Sequence, residues 1–208
     1  MRTPLRILNS VSAFCLLGLL AGSTTPLAGQ KSTTRGLNLG FHLQAASLSV
    51  EGEAGDGGGG AGIRVGYGLN RIVTIYFESD GVSVDSENSD EFQGTWTLGH
   101  ADLGVRFHLA NTLRSWVPYL DVAIGARAAS VKDVEANGQS VGDVRIDGGT
   151  FSLGGGIYAY FSQTFALDVG LKFSGGEFTE IDLGEISLND LDIDANSIRF
   201  KVGVVWWP

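Results

Sequence analysis

Cysteine is almost missing from these 208 residues: there is one, Cys15. It stands inside an apolar run, Phe14 rather than a small residue precedes it, and the run continues past it. A single thiol excludes an internal disulfide, and this context argues against a lipidated cysteine. Proline is scarce at 4 residues, and after the first thirty residues no segment keeps apolar side chains at helical spacing for long. A helical bundle is therefore excluded. Long hydrophobic runs are missing too: Val11 to Ala21 offers about 11 apolar positions, short of the roughly 20 a membrane-spanning helix needs. Basic residues are in the minority, 14 Lys and Arg against 23 Asp and Glu, which argues against a nucleic-acid partner.

The start of the chain has its own pattern. Arg2 and Arg6 precede the apolar run, and the small residues Ala21-Gly22-Ser23 and Ala28-Gly29 follow it, as in a secretory signal. We assign residues 1–29 to a signal peptide, with either small cluster as the cleavage point, and residues 35–208 to one domain. Removing residues 1–30 takes away two arginines, no acid and the only cysteine, and shifts the net charge from −9 to −11.

What is abundant is glycine, 31 residues, set among segments that alternate apolar and polar positions. Leu37, Leu39, Phe41 and Leu43 oppose Asn38, Gly40, His42 and Gln44, the period-two signature of a strand. Residues 62–69, Val73 to Glu78, 95–108, Tyr119 to Arg127, 149–161, Phe165 to Phe173 and Ile198 to Trp206 repeat it. Eight strands result. The connections between them alternate in length, long at 50–61, 79–94, 129–148 and 175–196, shorter at 70–71, 109–117 and 162–164. One end of the sheet then carries all the long loops, the arrangement of outer-membrane barrels.

Alternation alone does not say whether the apolar face lies inside, as in a soluble lipocalin-like binding barrel, or outside against lipid. The polar face carries Arg64, Glu78, Asp102, Arg106, Asp121, Arg127, Asp168, Lys172, Arg199 and Lys201 among many glycines. Glycine suits a narrow lumen where bulky side chains from eight strands would collide. The apolar face is large along nearly every strand, long enough for a tilted crossing of the bilayer. Aromatics gather at strand ends, Trp116, Tyr119, Tyr160, Phe161, Phe165, Trp206 and Trp207, and are expected to form an interfacial girdle. The expected fold is all-β: an eight-stranded antiparallel up-and-down transmembrane β-barrel. A sheet in hydrocarbon must close to satisfy its backbone, and eight strands leave room only for side chains. The ten charges are expected to pair across the lumen.

The other 19 acids fall in the long loops, where Lys132 and Arg145 are the only cations. Such an acidic end could meet lipopolysaccharide phosphates through bridging divalent cations, or simply keep the loops solvated. Asp190, Asp192 and Asp194 resemble the start of a calcium loop, but its sixth and twelfth positions are Ala195 and Lys201 instead of Gly and Glu. Gly57–Gly60 reads as a flexible loop tip, with no lysine-threonine pair or helix after it to make a phosphate cradle. His42, His100 and His108 lie on the lumen face outside any serine nucleophile motif. His42 and Asp102 are the one pair that could meet across strands. No metal, cofactor or catalytic site is expected.

The signal segment, eight amphipathic strands, alternating connections and the last strand Ser-Ile-Arg-Phe-Lys-Val-Gly-Val-Val-Trp-Trp resemble the small OmpA/OmpX-like outer membrane protein beta-barrel domain family, over residues 35–207. Members end on an aromatic residue read by the barrel-assembly machinery; here Pro208 follows Trp207. The resemblance implies a monomer among outer-membrane lipids and lipopolysaccharide, with a structural or surface-interaction role in envelope integrity, adhesion or defence. A narrow or gated porin-like channel is the alternative, and a lipid-modifying enzyme comes behind both.

Overall fold

A computed structural model describes residues 34–50, 56–85, 95–109, 115–136, 139–183 and 186–208. They form eight strands: β1 (Gly36–Val50), β2 (Asp56–Gly68), β3 (Val73–Asp85), β4 (Thr95–His108), β5 (Trp116–Ala136), β6 (Gln139–Tyr160), β7 (Phe165–Leu183) and β8 (Ile186–Trp206). Each pairs antiparallel with its neighbours in sequence, and β8 pairs with β1 from Leu39 opposite Trp206 to Val50 opposite Ala195, closing the barrel. Closure leaves the transmembrane part without a free edge, so every strand there has a hydrogen-bonding neighbour on each side.

The period-two pattern explains which side chains go where. Large apolar residues point out: Phe41 is 57% exposed, Ile63 57% and Ile124 64%. A continuous apolar belt of this kind would aggregate in water and is matched by hydrocarbon in a membrane. The alternate residues point in and are buried.

Short connections at one end are set by local polar side chains. The Asn70 Oδ1 accepts from the backbone N–H groups of Ile72 (2.7 Å) and Val73 (2.8 Å), joining β2 to β3. Ser162 Oγ does the same for Thr164 (3.2 Å) and Phe165 (2.9 Å) between β6 and β7. Both side chains replace turn hydrogen bonds that the backbone would otherwise lack.

At the opposite end the structure corrects three sequence expectations. Segments 129–148 and 175–196 are largely strand rather than loop, because β5 continues to Ala136, β6 starts at Gln139, β7 reaches Leu183 and β8 starts at Ile186. The last residue of β5 with a β4 partner is Val131, and the first residue of β8 with a β1 partner is Ala195, so β5 to β8 rise above β1 to β4 as a taller wall. The Gly57–Gly60 run is not a loop tip either: it lies in β2, with Gly60 opposite Gln44 of β1 and Val82 of β3. A Cβ at Gly60 would run into the Gly81 carbonyl, so glycine is required there by the close approach of β3. Asp190 to Asp194 belong to β8 and not to a loop; the side chains of Asp190 and Asp192 lie outside the described residues.

Candidate functional site

Inside the barrel, alternation collects polar side chains from all eight strands in one narrow space. Arg64, Glu78, Asp102, Arg106, Asp121, Arg127, Asp168, Lys172, Arg199 and Lys201 all point inward, each no more than 6% exposed. Charges this deep need partners, because desolvation costs several kcal/mol per ion. Near the turn end Arg106 grips Asp121 with two hydrogen bonds, Nε to Oδ1 at 2.7 Å and Nη2 to Oδ2 at 2.6 Å. Its Nη1 reaches Asp168 (3.3 Å) and Tyr158. Asp168 also faces Arg64 (3.1 Å) and accepts from the Tyr119 hydroxyl (2.6 Å), while Arg64 donates to Tyr158 (2.7 Å).

Mid-lumen, Glu78 is the hub. Lys201 Nζ lies 2.6 Å from each of its oxygens, and Lys172 Nζ is 2.6 Å from Oε1 and 3.1 Å from Asp102 Oδ2. Arg199 then carries the chain upward, bonding Asp102 (2.9 Å), Ser174 (2.7 Å) and Asp80 (2.8 Å).

Asp80 is a residue the sequence reading misplaced. Counted among loop acids, it is 6% exposed inside the lumen, where Gln44 donates to it at 2.8 Å and His100 approaches to 3.4 Å. Continuing the alternation of β3 two residues past Glu78 would have found it. Tyr76, Tyr119 and Tyr158, each 2% exposed, are likewise lumen residues, and they surround Arg106 with rings whose centroids lie 5.6, 3.6 and 5.1 Å from the guanidinium carbon. Gly104 makes room for the Tyr76 ring, since a Cβ there would press on both the ring and Ala123.

The aromatic girdle also needs correction. Trp116, Phe161, Phe165 and Trp206 do face outward, and Phe165 stacks on both Phe161 and Trp206 with centroids 6.1 Å apart in each case. Tyr119, Tyr160 and Trp207 do not: they are 2%, 5% and 2% exposed and plug the turn end of the lumen with Val117, Tyr158, Ala166 and Val205. The cause is parity. Trp207 follows outward Trp206, and its backbone N–H donates to Thr164 O at 2.8 Å, which keeps the strand path and turns its ring inward.

The histidines are lumen side chains as well. His108 hydrogen-bonds Thr74 across 3.1 Å, and His100 sits 3.5 Å from Ser197. His42 does not meet Asp102; it groups instead with Glu78 and Asp80, their ligand-type atoms within 4.8 Å of one another. Those carboxylates already serve Lys172, Lys201 and Arg199, so a divalent cation would enter among three fixed positive charges.

Toward the loop end Leu98, Ala129, Phe178 and Ala195 form a buried apolar cluster, with Leu48, Trp96, Ile146 and Ile193 packed against them. From bottom to top the lumen therefore runs from aromatic plug to ion-pair ladder to apolar roof.

Comparison with known proteins agrees with this architecture. The family model described as outer membrane protein beta-barrel domain matches residues 14–205. The chain belongs to that family. It is a protein of the bacterial outer membrane, and its surroundings are the lipids of that membrane. Among solved structures it resembles the Neisserial surface protein A, with TM-score 0.61 at 15% identity over 82% of this chain and 96% of that one. Ail, the attachment invasion locus protein of Yersinia pestis, superposes with TM-score 0.54 at 13% identity, covering 83% and 99% of the two chains. The outer membrane protein OprG from Pseudomonas aeruginosa gives TM-score 0.55 at 10% identity, covering 86% and 97%. At these identities the likeness is one of fold. No curated protein matches the chain.

Proposed function

We propose that this barrel works through its surface, as a structural or interaction protein of the outer membrane, and that its lumen is a filled core that does not conduct. The observation that carries the reading is the packing of side chains at both ends and across the middle of the lumen. Tyr158, Tyr160 and Trp207 occupy one end, Glu78 holds Lys172 and Lys201 across the middle, and Phe178 with Leu98 covers the other end. The strands that rise highest, β5 to β8, reach farthest from the turn end. Their sequence is acidic, so a partner that binds through divalent cations, lipopolysaccharide phosphate above all, suits that end. The fold neighbour called an attachment invasion locus protein supports a surface role by analogy of shape.

In the same reading residues 1–29 direct export and are removed, the barrel-assembly machinery inserts the chain, and the product is a monomer without catalytic activity. Planar-bilayer recording of the refolded protein tests the main point. Absence of steady current, together with chelator-sensitive retention on lipopolysaccharide, is the expected result. A sustained unitary conductance would transfer the assignment to a narrow channel. Release of acyl chains from labelled lipid A would transfer it to a lipid-modifying enzyme.

A further inference from the structure

The ion pairs of the lumen do not balance. Among the described residues, the buried carboxylates are Glu78, Asp80, Asp102, Asp121 and Asp168, and the buried cations are Arg64, Arg106, Arg127, Lys172, Arg199 and Lys201. With the three histidines neutral, one positive charge is left over, and its place is definite. Every cation but Arg127 has a carboxylate within 4 Å.

Arg127 is 1% exposed, beneath the apolar roof. Its Nη2 donates to two backbone carbonyls, Gly176 O and Ala195 O, both at 2.7 Å, and its guanidinium lies 4.8 Å from the centroid of Phe178. Among the described residues Nε and Nη1 have no hydrogen-bond partner. Carbonyls and a ring face attract a cation but do not neutralise it, and a buried guanidinium with idle N–H groups is costly to leave so.

The local backbone explains how the site arose. The β6 to β7 register shifts between Asp147, opposite Glu180, and Gly148, opposite Phe178, and two residues before Phe178 on β7 Gly176 has φ of 153°. Next to that shift the Gly176 carbonyl, and not an acidic side chain, meets Arg127. Among the described residues Thr150 Oγ1 has no hydrogen-bond partner; it lies on the strand next to Arg127 and is 7% exposed. Thr150 is opposite Gly125, two residues from Arg127 on the same face, a diagonal neighbour within reach of a long side chain.

We propose that Arg127 and Thr150 form a binding site for one small monovalent anion, of the size of chloride, enclosed under the roof of the lumen. The surplus of one charge sets the valence. Arg127 Nε and Nη1 and the Thr150 hydroxyl supply the donors, and the roof above excludes a large anion. The ligand completes the electrostatics of the ladder, so it stabilises the folded barrel by mass action.

The test uses the full chain, exported and folded, in lipid nanodiscs, with chloride titrated into gluconate at constant ionic strength. Two readouts are followed: the arginine Nε resonances and the thermal unfolding midpoint. A single Nε resonance, absent in Arg127→Met, is expected to shift with saturation, and the midpoint to rise with chloride in the native protein but not in Arg127→Met. Should Arg127→Met fail to fold, Thr150→Val serves, with chloride affinity lowered about tenfold, the loss of roughly one hydrogen bond to a charged partner. A shift that never saturates, or a midpoint that depends on chloride equally with and without Arg127, overturns the proposal. These results do not depend on whether the protein conducts.

Discussion

At the turn end of the lumen, tyrosines and a tryptophan pack around cations that all have carboxylates; at the loop end, aliphatic side chains and Phe178 pack over an arginine that has none. Both ends are packed, but by different means. The turn end combines ring area with hydroxyls that can join the ion pairs, as Tyr119 does for Asp168 and Tyr158 for Arg64. The loop end is packed mainly with apolar groups that offer no hydrogen bond to the arginine. Packing and charge are therefore coupled at the first end and separate at the second, so substitutions should propagate below and stay local above.

The largest effect is expected where the coupling is densest. Glu78→Leu removes the one carboxylate shared by Lys172 and Lys201 and leaves two ammonium groups short of counter-charge. Breaking a buried pair from one side costs about 3–5 kcal/mol. The urea midpoint of the refolded barrel, followed by heat-modifiable gel mobility, should fall accordingly. A cost no greater than that of a lipid-facing substitution would mean that the ladder does not govern stability.

Next come two adjacent tryptophans on opposite faces. Trp207→Ala empties space against Tyr158 and Tyr160, whose ring centroids lie 5.4 and 5.2 Å from it, and should cost about 3 kcal/mol. Trp206→Ala loses only a stack on Phe165 and lipid contact, and should cost about 1 kcal/mol. Equal losses at the two positions would show that Trp207 is not part of the plug.

That pair also marks how far the sequence could be read. Period-two alternation is a local property, and it was enough for eight strands, for the inward face holding Arg64 or Arg199 and for the outward face holding Phe41 or Ile124. It failed where a second signal overrode it. Tryptophans at a strand end suggest an interface, and the suggestion hid the parity that turns Trp207 inward. Acids in a loop-like stretch suggest solvent, which hid Asp80, two residues beyond Glu78. Runs of glycine suggest a turn, which hid the strand at Gly57–Gly60. Which cation meets which acid was not legible at all. Arg199 and Asp80 are 119 residues apart, and only the registers of closed strands bring them together.

The sharpest contrast, which ends in the smallest effect, concerns one bonding geometry in two surroundings. Arg106 holds Asp121 through Nε and Nη2 at 2.7 and 2.6 Å deep in the lumen, and Arg145 holds Asp147 through the same atoms at 2.7 and 2.8 Å near the loop end of β6. The second pair is open to water, with side chains 59% and 30% exposed. The hydrogen bond to Asp147 raises the Arg145 pKa, away from neutrality, so Arg145 keeps its charge across the physiological range. Solvent screens its attraction, and its expected contribution is below about 0.5 kcal/mol. Asp121→Asn should cost about 2 kcal/mol, because Arg106 keeps Asp168 but loses a charged partner in a dry site. Asp147→Asn should leave the urea midpoint nearly unchanged. If the two substitutions cost the same, water reaches the lumen freely, and the picture of a barrel filled and sealed at both ends fails with it.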